Sequence, residues 1–76
     1  MTDQQIRTDI IAHIRKAIRK ADAKRANWPG APVSHFACTG DEPRVLREMI
    51  ADGSVRLVER PKADPRFTAS FICLPA

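Results

Sequence analysis

Residues 33–55 read VSHFACTGDEPRVLREMIADGSV, a stretch with two helical signals on either side of a tight turn. The first signal is Val33 to Cys38, a short segment of apolar and polar residues directly after Pro32, a residue that favours helix starts. We expect one or two helical turns there. Thr39-Gly40 then supplies the turn, because glycine accepts the backbone angles that a sharp reversal needs.

The second signal predicts a helix over residues 42–52. Asp41 is suited to the N-cap, and Gly53 is suited to the position that ends the helix. Helical periodicity points one set of side chains toward the core, namely Val45, Leu46, Met49 and Ile50. It points another set outward, namely Arg44, Arg47, Glu48, Ala51 and Asp52. The predicted helix is therefore amphipathic, with its arginines on the solvent side.

A long helix is predicted upstream, over residues 4–25. Its apolar stripe comprises Ile6, Ile10, Ile11, Ile14, Ala17, Ile18 and Ala21, the width expected of a face that packs on a core. Thr2 and Asp3 are both plausible N-caps. The breaker cluster at residues 27–32 ends the helix, and we expect Trp28 to cover one end of the core.

After Gly53 the periodicity becomes β-like. Residues 54–60 and 66–74 predict two strands, and the proline-bounded residues 61–65 predict the turn between them. In the second strand, Phe67, Ala69, Phe71 and Cys73 alternate with the polar Thr68 and Ser70. The chain therefore ends in a predicted β-hairpin.

The order of helix, short helix, tight turn, helix and β-hairpin resembles the winged helix-turn-helix family of DNA-binding domains. Members typically have a small alanine in the second helix, a glycine in the turn, an apolar residue in the third helix and a glycine before the first wing strand. Ala37, Gly40, Leu46 and Gly53 match these positions. The resemblance implies an α+β winged-helix domain spanning residues 1–76, which binds double-stranded DNA as a transcriptional or recombination regulator of bacterial or phage type.

The same resemblance implies which side chains contact DNA. Arg44 and Arg47 on the third helix would read base edges or phosphates, since the arginine fork matches two acceptors of guanine. The wing would contribute Arg60, Lys62 and Arg66 to phosphates or to a minor groove. The first helix would add Arg15, Arg19 and Lys20 as further backbone contacts.

The distribution of charge leaves a second function open. The chain carries a net charge of +4, all of it within residues 1–40. Residues 41–76 are neutral, and the segment 41–52, which contains the predicted reading helix, has two arginines against four carboxylates. Arg44 and Arg47 could simply pair with Asp41 or Glu48, and the basic first helix could be a solvated face. The alternative is a non-enzymatic interaction module, such as a phage- or plasmid-encoded inhibitor or adaptor that binds an acidic protein partner.

Size and composition restrict the remaining classes. At 76 residues the chain holds one domain, which buries only about 60% of its unfolded surface and has little room for a catalytic cleft. We expect no enzyme activity, cofactor or metal, because His13, His35, Cys38 and Cys73 lack a metal-ligand spacing.

Compartment and assembly are predicted from the same composition. We expect both cysteines to be reduced and buried in a cytoplasmic protein. No stretch approaches the roughly 20 apolar residues of a membrane helix, and the N-terminus does not resemble a secretory signal. The long first helix could pack within one domain or pair in a homodimer.

Overall fold

The first helix, α1, spans Asp3–Ala23 in the computed structural model, which describes residues 2–62, 64 and 66–75. Thr2 is its N-cap: the Thr2 hydroxyl accepts a hydrogen bond from the Gln5 amide, and the Gln5 side chain accepts one from the Thr2 amide. The buried stripe confirms the predicted periodicity, with Ile6, Ile10, Ile14, Ala17 and Ala21 facing inward.

The end of α1 turns the chain back along the helix. The helix stops at Ala23, two residues earlier than predicted, and Arg25 adopts a left-handed backbone angle, φ 57°. The Ala26 amide donates to the Ala21 carbonyl at 2.8 Å, which closes this turn. As a result, Trp28 lies beside the last turns of α1.

The second helix, α2, spans Asp41–Asp52 and packs on α1. The prediction that Asp41 caps it is wrong by one residue: Asp41 is already helical, and Gly40 is the N-cap, with φ 87° and no side chain to bond the first amides. The inward set is confirmed, because Val45, Leu46 and Met49 are buried and Ile50 is half-buried. Gly53 ends the helix with φ 83°, a left-handed angle that glycine adopts without strain.

The region before α2 is less helical than expected. Val33–His35 forms one 3-10 turn, and Phe36 is extended and buried. Cys38, predicted to be buried, is exposed, whereas Cys73 is buried as predicted, and both thiols are free. The helical part is short because the chain must return to an extended path to insert Phe36 into the core.

Three antiparallel strands form one sheet, in the order β1-β3-β2. The predicted hairpin is confirmed, with β2 at Arg56–Pro61 and β3 at Thr68–Cys73. The additional strand, β1 at Ala31–Pro32, pairs with Ile72 and Phe71 and was not predicted. A Cβ on the preceding Gly30 would lie 2.1 Å from the Ile72 carbonyl oxygen, so this close approach requires glycine.

The core lies between the sheet and the two helices. Its largest fully buried side chains are Ile14, Met49, Ile72, Val45, Val55 and Cys73. The predicted alternation in β3 is wrong at its end, where Phe71, Ile72 and Cys73 are all buried. The central strand is covered on both faces: Ile72 joins the core cluster, while the Phe71 ring lies 6.2 Å from that of Trp28. The fold is thus α+β, with two α-helices and a three-stranded antiparallel sheet.

No helix within the described part of the chain is long and apolar enough to cross a membrane.

Candidate functional site

Arg44, on the exposed side of α2, is held by three carboxylates. Its guanidinium donates two hydrogen bonds to Asp3, from Nη2 to Oδ1 at 3.0 Å and from Nη1 to Oδ2 at 3.2 Å. It also donates to Glu48 Oε1 at 3.2 Å and lies 3.7 Å from Asp41 Oδ1. The hydrogen bonds from Arg44 lower the pKa of the Asp3 carboxyl, and those to Asp3 raise the pKa of Arg44. Arg44 therefore bridges the N-terminus of α1 to the first turns of α2.

Arg47, on the same helix, is exposed and forms no ion pair with any described residue. An arginine fork in this state presents all its donors to solvent, whereas most of the Arg44 donors are engaged. Of the two arginines predicted on α2, Arg47 is the one available to a partner without breaking an internal ion pair.

A second contact fixes the other end of α2 to α1. Arg7 Nη2 donates to Asp52 Oδ2 at 2.8 Å, and Arg7 Nη1 donates to the Ser54 hydroxyl at 3.4 Å. The Ser54 hydroxyl in turn donates to Asp52 Oδ1 at 2.6 Å. These bonds, led by the one from the Ser54 hydroxyl, lower the pKa of Asp52 to about 2. Together with Asp3–Arg44, this contact sets the orientation of α2 on α1.

The hairpin presents its predicted cations in two different states. Arg60 and Lys62 are exposed and lack an ion pair within the described chain. Arg66 forms an ion pair with Asp64 at 2.9 Å, and the hydrogen bonds between them raise the pKa of Arg66 and lower that of Asp64. In the register of β2 and β3, Arg60 lies opposite Ala69. The cations of the hairpin therefore lie on β2 and at the loop.

The predicted cations of α1, Arg15, Arg19 and Lys20, are all exposed. At helical spacing they lie on the side of α1 away from its buried stripe. Arg15 lines a shallow groove with Arg7, Met49 and Ser54, next to the end of α2. Lys20 lines a separate cavity, and Arg19 lines neither. The exposed side of α1 therefore borders two different surface features.

The cavity beside Lys20 has a volume of about 380 Å³ and a distinct composition. It is lined by the side chains of His13, Lys16, Lys20, Lys24, Trp28 and His35, with Ala17, Ala21 and Ala26 between them. We call it the lysine–tryptophan cavity. The lysines are four residues apart, so they share one side of α1. The spacing of the lysines is visible in the sequence, but the approach of Trp28 and His35 depends on the chain reversal after Ala23.

Two histidines separate this cavity from a second one. The rings of His13 and His35 are 5.5 Å apart, and His13 is 5.3 Å from Phe36. The second cavity, of about 560 Å³, is also lined by both histidines and by Asp9, Asp41 and Glu42. His13 Nε2 is buried without a hydrogen-bond partner in the described chain. The histidines thus lie between a basic and an acidic surface.

Within residues 2–62, 64 and 66–75, no group of three potential ligands is placed to hold a metal ion. Comparison with known proteins gives no relative from which a site could be transferred. No family model, curated protein or solved structure matches the chain.

Proposed function

We propose that this chain is a small winged-helix DNA-binding protein that regulates transcription or recombination. The observation that carries the proposal is the orientation of α2. Its apolar residues are buried against the core, while Arg47 is exposed and has no ion-pair partner among the described residues. A hairpin with exposed Arg60 and Lys62 follows this helix directly. A helix with one free face, followed by a basic hairpin, is suited to a major groove and the adjoining backbone.

In this mechanism the two arginines of α2 have different roles. Arg47 makes the base or phosphate contact, because its donors are available. Arg44 positions α2 through Asp3 and Glu48, and DNA would have to displace these carboxylates to engage it. The exposed cations of α1 and the hairpin supply the salt-dependent attraction to phosphates.

The first prediction follows from this difference. Arg47→Ala should reduce affinity for a duplex selected from a random pool by about 5- to 150-fold, the usual cost of a bidentate contact. Arg44→Ala should reduce it by less than about threefold. Fluorescence anisotropy at fixed ionic strength measures both.

Arg47→Lys is the matched control. It keeps the charge, and therefore the salt dependence, but loses the bidentate fork, so we expect it to bind random duplex normally and the selected duplex weakly. Unchanged affinity in Arg47→Ala would contradict insertion of α2 into the groove.

A second function is favoured by one observation. The helix at residues 41–52 carries two arginines against four carboxylates. Three of these carboxylates lie within 4 Å of a paired arginine: Asp41 and Glu48 of Arg44, and Asp52 of Arg7. A protein-interaction module that meets an acidic partner through α1 would need no cationic α2. A gel-shift assay with random duplex DNA at low salt separates the two functions. Even non-specific DNA binding should persist there, and its absence would favour the protein partner.

A further inference from the structure

The lysine–tryptophan cavity has features that insertion of α2 into DNA does not use. Lys16, Lys20 and Lys24 form a row about 12 Å long, given the rise of an α-helix. None of them forms an ion pair with a described residue. Asp22 is the only carboxylate in residues 10–40, and it does not line the cavity. The row therefore has no neighbouring carboxylate partner in the described part of the chain, and like charges one helical turn apart repel each other.

The remaining walls of the cavity are apolar and aromatic. Three alanines line the space between the lysines and the indole of Trp28, which is half-buried. The ring of His35 stands edge-on to the indole, with centroids 6.0 Å apart. A volume of about 380 Å³ lies within the usual range for small-ligand sites, about 300–1,000 Å³. This wall is suited to a flat, apolar ring system. A site for an anion alone would need only the lysines.

We propose that the lysine–tryptophan cavity binds a nucleotide unit, with the base against Trp28 and the phosphates along Lys16, Lys20 and Lys24. Aromatic side chains take a base by stacking whatever its identity, and lysine is a common point-charge ligand of phosphate. A bound phosphate chain would also relieve the repulsion within the lysine row. The nucleotide unit could be a free nucleotide or part of a single strand, since both have the same chemistry at this scale.

The test uses the full chain and follows the emission of Trp28, the only tryptophan. The titrants are ATP, inorganic triphosphate and adenosine, at low ionic strength and without a divalent metal. We expect ATP to bind about tenfold more tightly than either triphosphate or adenosine, because only ATP engages both walls. Equal affinities for ATP and triphosphate would overturn recognition of the base.

Lys20→Gln and Arg19→Gln form the matched pair for the site. Both remove one positive charge from an exposed side chain of α1, but only Lys20 lines the cavity. Lys20→Gln should weaken ATP binding about tenfold, and Arg19→Gln should change it by less than about twofold. Equal losses in the two variants would show diffuse attraction and overturn the site.

Two further arms identify the source of the ligand and separate the site from the proposed DNA function. Displacement of ATP by single-stranded oligothymidylate would assign the site to a strand, whereas a strand that fails to displace ATP would assign it to a free nucleotide. Arg47→Ala should leave ATP affinity unchanged, because Arg47 does not line the cavity. A loss of ATP binding in Arg47→Ala would overturn the placement of the site on α1.

Discussion

The exposed side of α2 and the C-terminal half of α1 both carry cations. Among the described residues, internal carboxylates pair with a cation of α2 but not with the lysines of α1. On α2, Arg44 is bonded to Asp3 and Glu48 and lies near Asp41, so its charge is used inside the protein. On α1, Lys16, Lys20 and Lys24 have no carboxylate partner in the described chain, and they share a cavity with Trp28. The charge of Arg44 is thus used to link α2 to α1, whereas the three lysines remain available to a ligand. Composition alone does not distinguish these two uses.

The first test of this comparison is whether the affinity for DNA increases when the internal pairing of Arg44 is weakened. Asp3→Asn removes the charge of the bidentate partner of Arg44, so DNA would have to displace only Glu48 and Asp41 to engage the guanidinium. We expect affinity for random duplex to rise about two- to fivefold at low salt, the range expected from releasing an exposed ion pair. Fluorescence anisotropy of the variant and the parent measures the change.

Asp9→Asn is the charge-matched control for this gain. Asp9 is an exposed carboxylate of the same helix that forms no ion pair with a described residue. Its removal adds the same net charge without freeing an arginine, so affinity should change by less than about twofold. An equal gain of DNA affinity in both variants would show that the pairing of Arg44 does not limit DNA binding.

A smaller effect is expected in acid. The folded pKa of Asp52 is lowered to about 2 by the Ser54 hydroxyl and by Arg7. A lowered folded pKa means that the stabilisation is complete above the unfolded value, near 4, and is lost as the pH falls toward 2. The melting temperature should therefore decline between pH 4 and pH 2, as followed by circular dichroism.

Two variants test whether this acid dependence comes from the paired charges at Asp52 or from the unpaired lysines of α1. Asp52→Asn should melt at a lower temperature at pH 7 and show a shallower decline below pH 4. Lys20→Gln should retain the parent slope, since Lys20 pairs with no described carboxylate. A parent slope in Asp52→Asn would mean that the contact between Arg7 and Asp52 does not stabilise the fold.

Much of the fold could be predicted because its signals are local. The isoleucine stripe of α1, the inward face of α2, Gly53 and the hairpin all follow from periodicity or from the backbone freedom of glycine. β1 could not be predicted, since a strand of two residues has no periodicity and includes a proline. The run of buried residues at the end of β3 could not be predicted either, because the contact of Trp28 with Phe71 is a tertiary contact without a local signal.

Only those contacts of the candidate site that join residues close in sequence could be predicted. The pairing of Arg44 with Asp41 or Glu48 was an open alternative at helical spacing, and both contacts occur. The bidentate contact with Asp3 spans 41 residues and has no local signal. Trp28 was expected to cover the core in preference to stacking on a ligand, and the two histidines were not expected in a shared site. Their meeting with three lysines depends on the turn after Ala23 and on the close approach at Gly30.

The measurement that tests the separation of the two surfaces most directly is an amide chemical-shift map of the labelled protein with two titrants in parallel. Duplex DNA at low salt should perturb amides of α2 around Arg47 and of the hairpin around Lys62. ATP should instead perturb Lys16 to Lys24, His35 and the indole N–H of Trp28. Perturbation of the Trp28 indole and His35 by duplex DNA, of Arg47 by ATP, or of no residue by either titrant, would contradict the assignment of different ligands to the two regions.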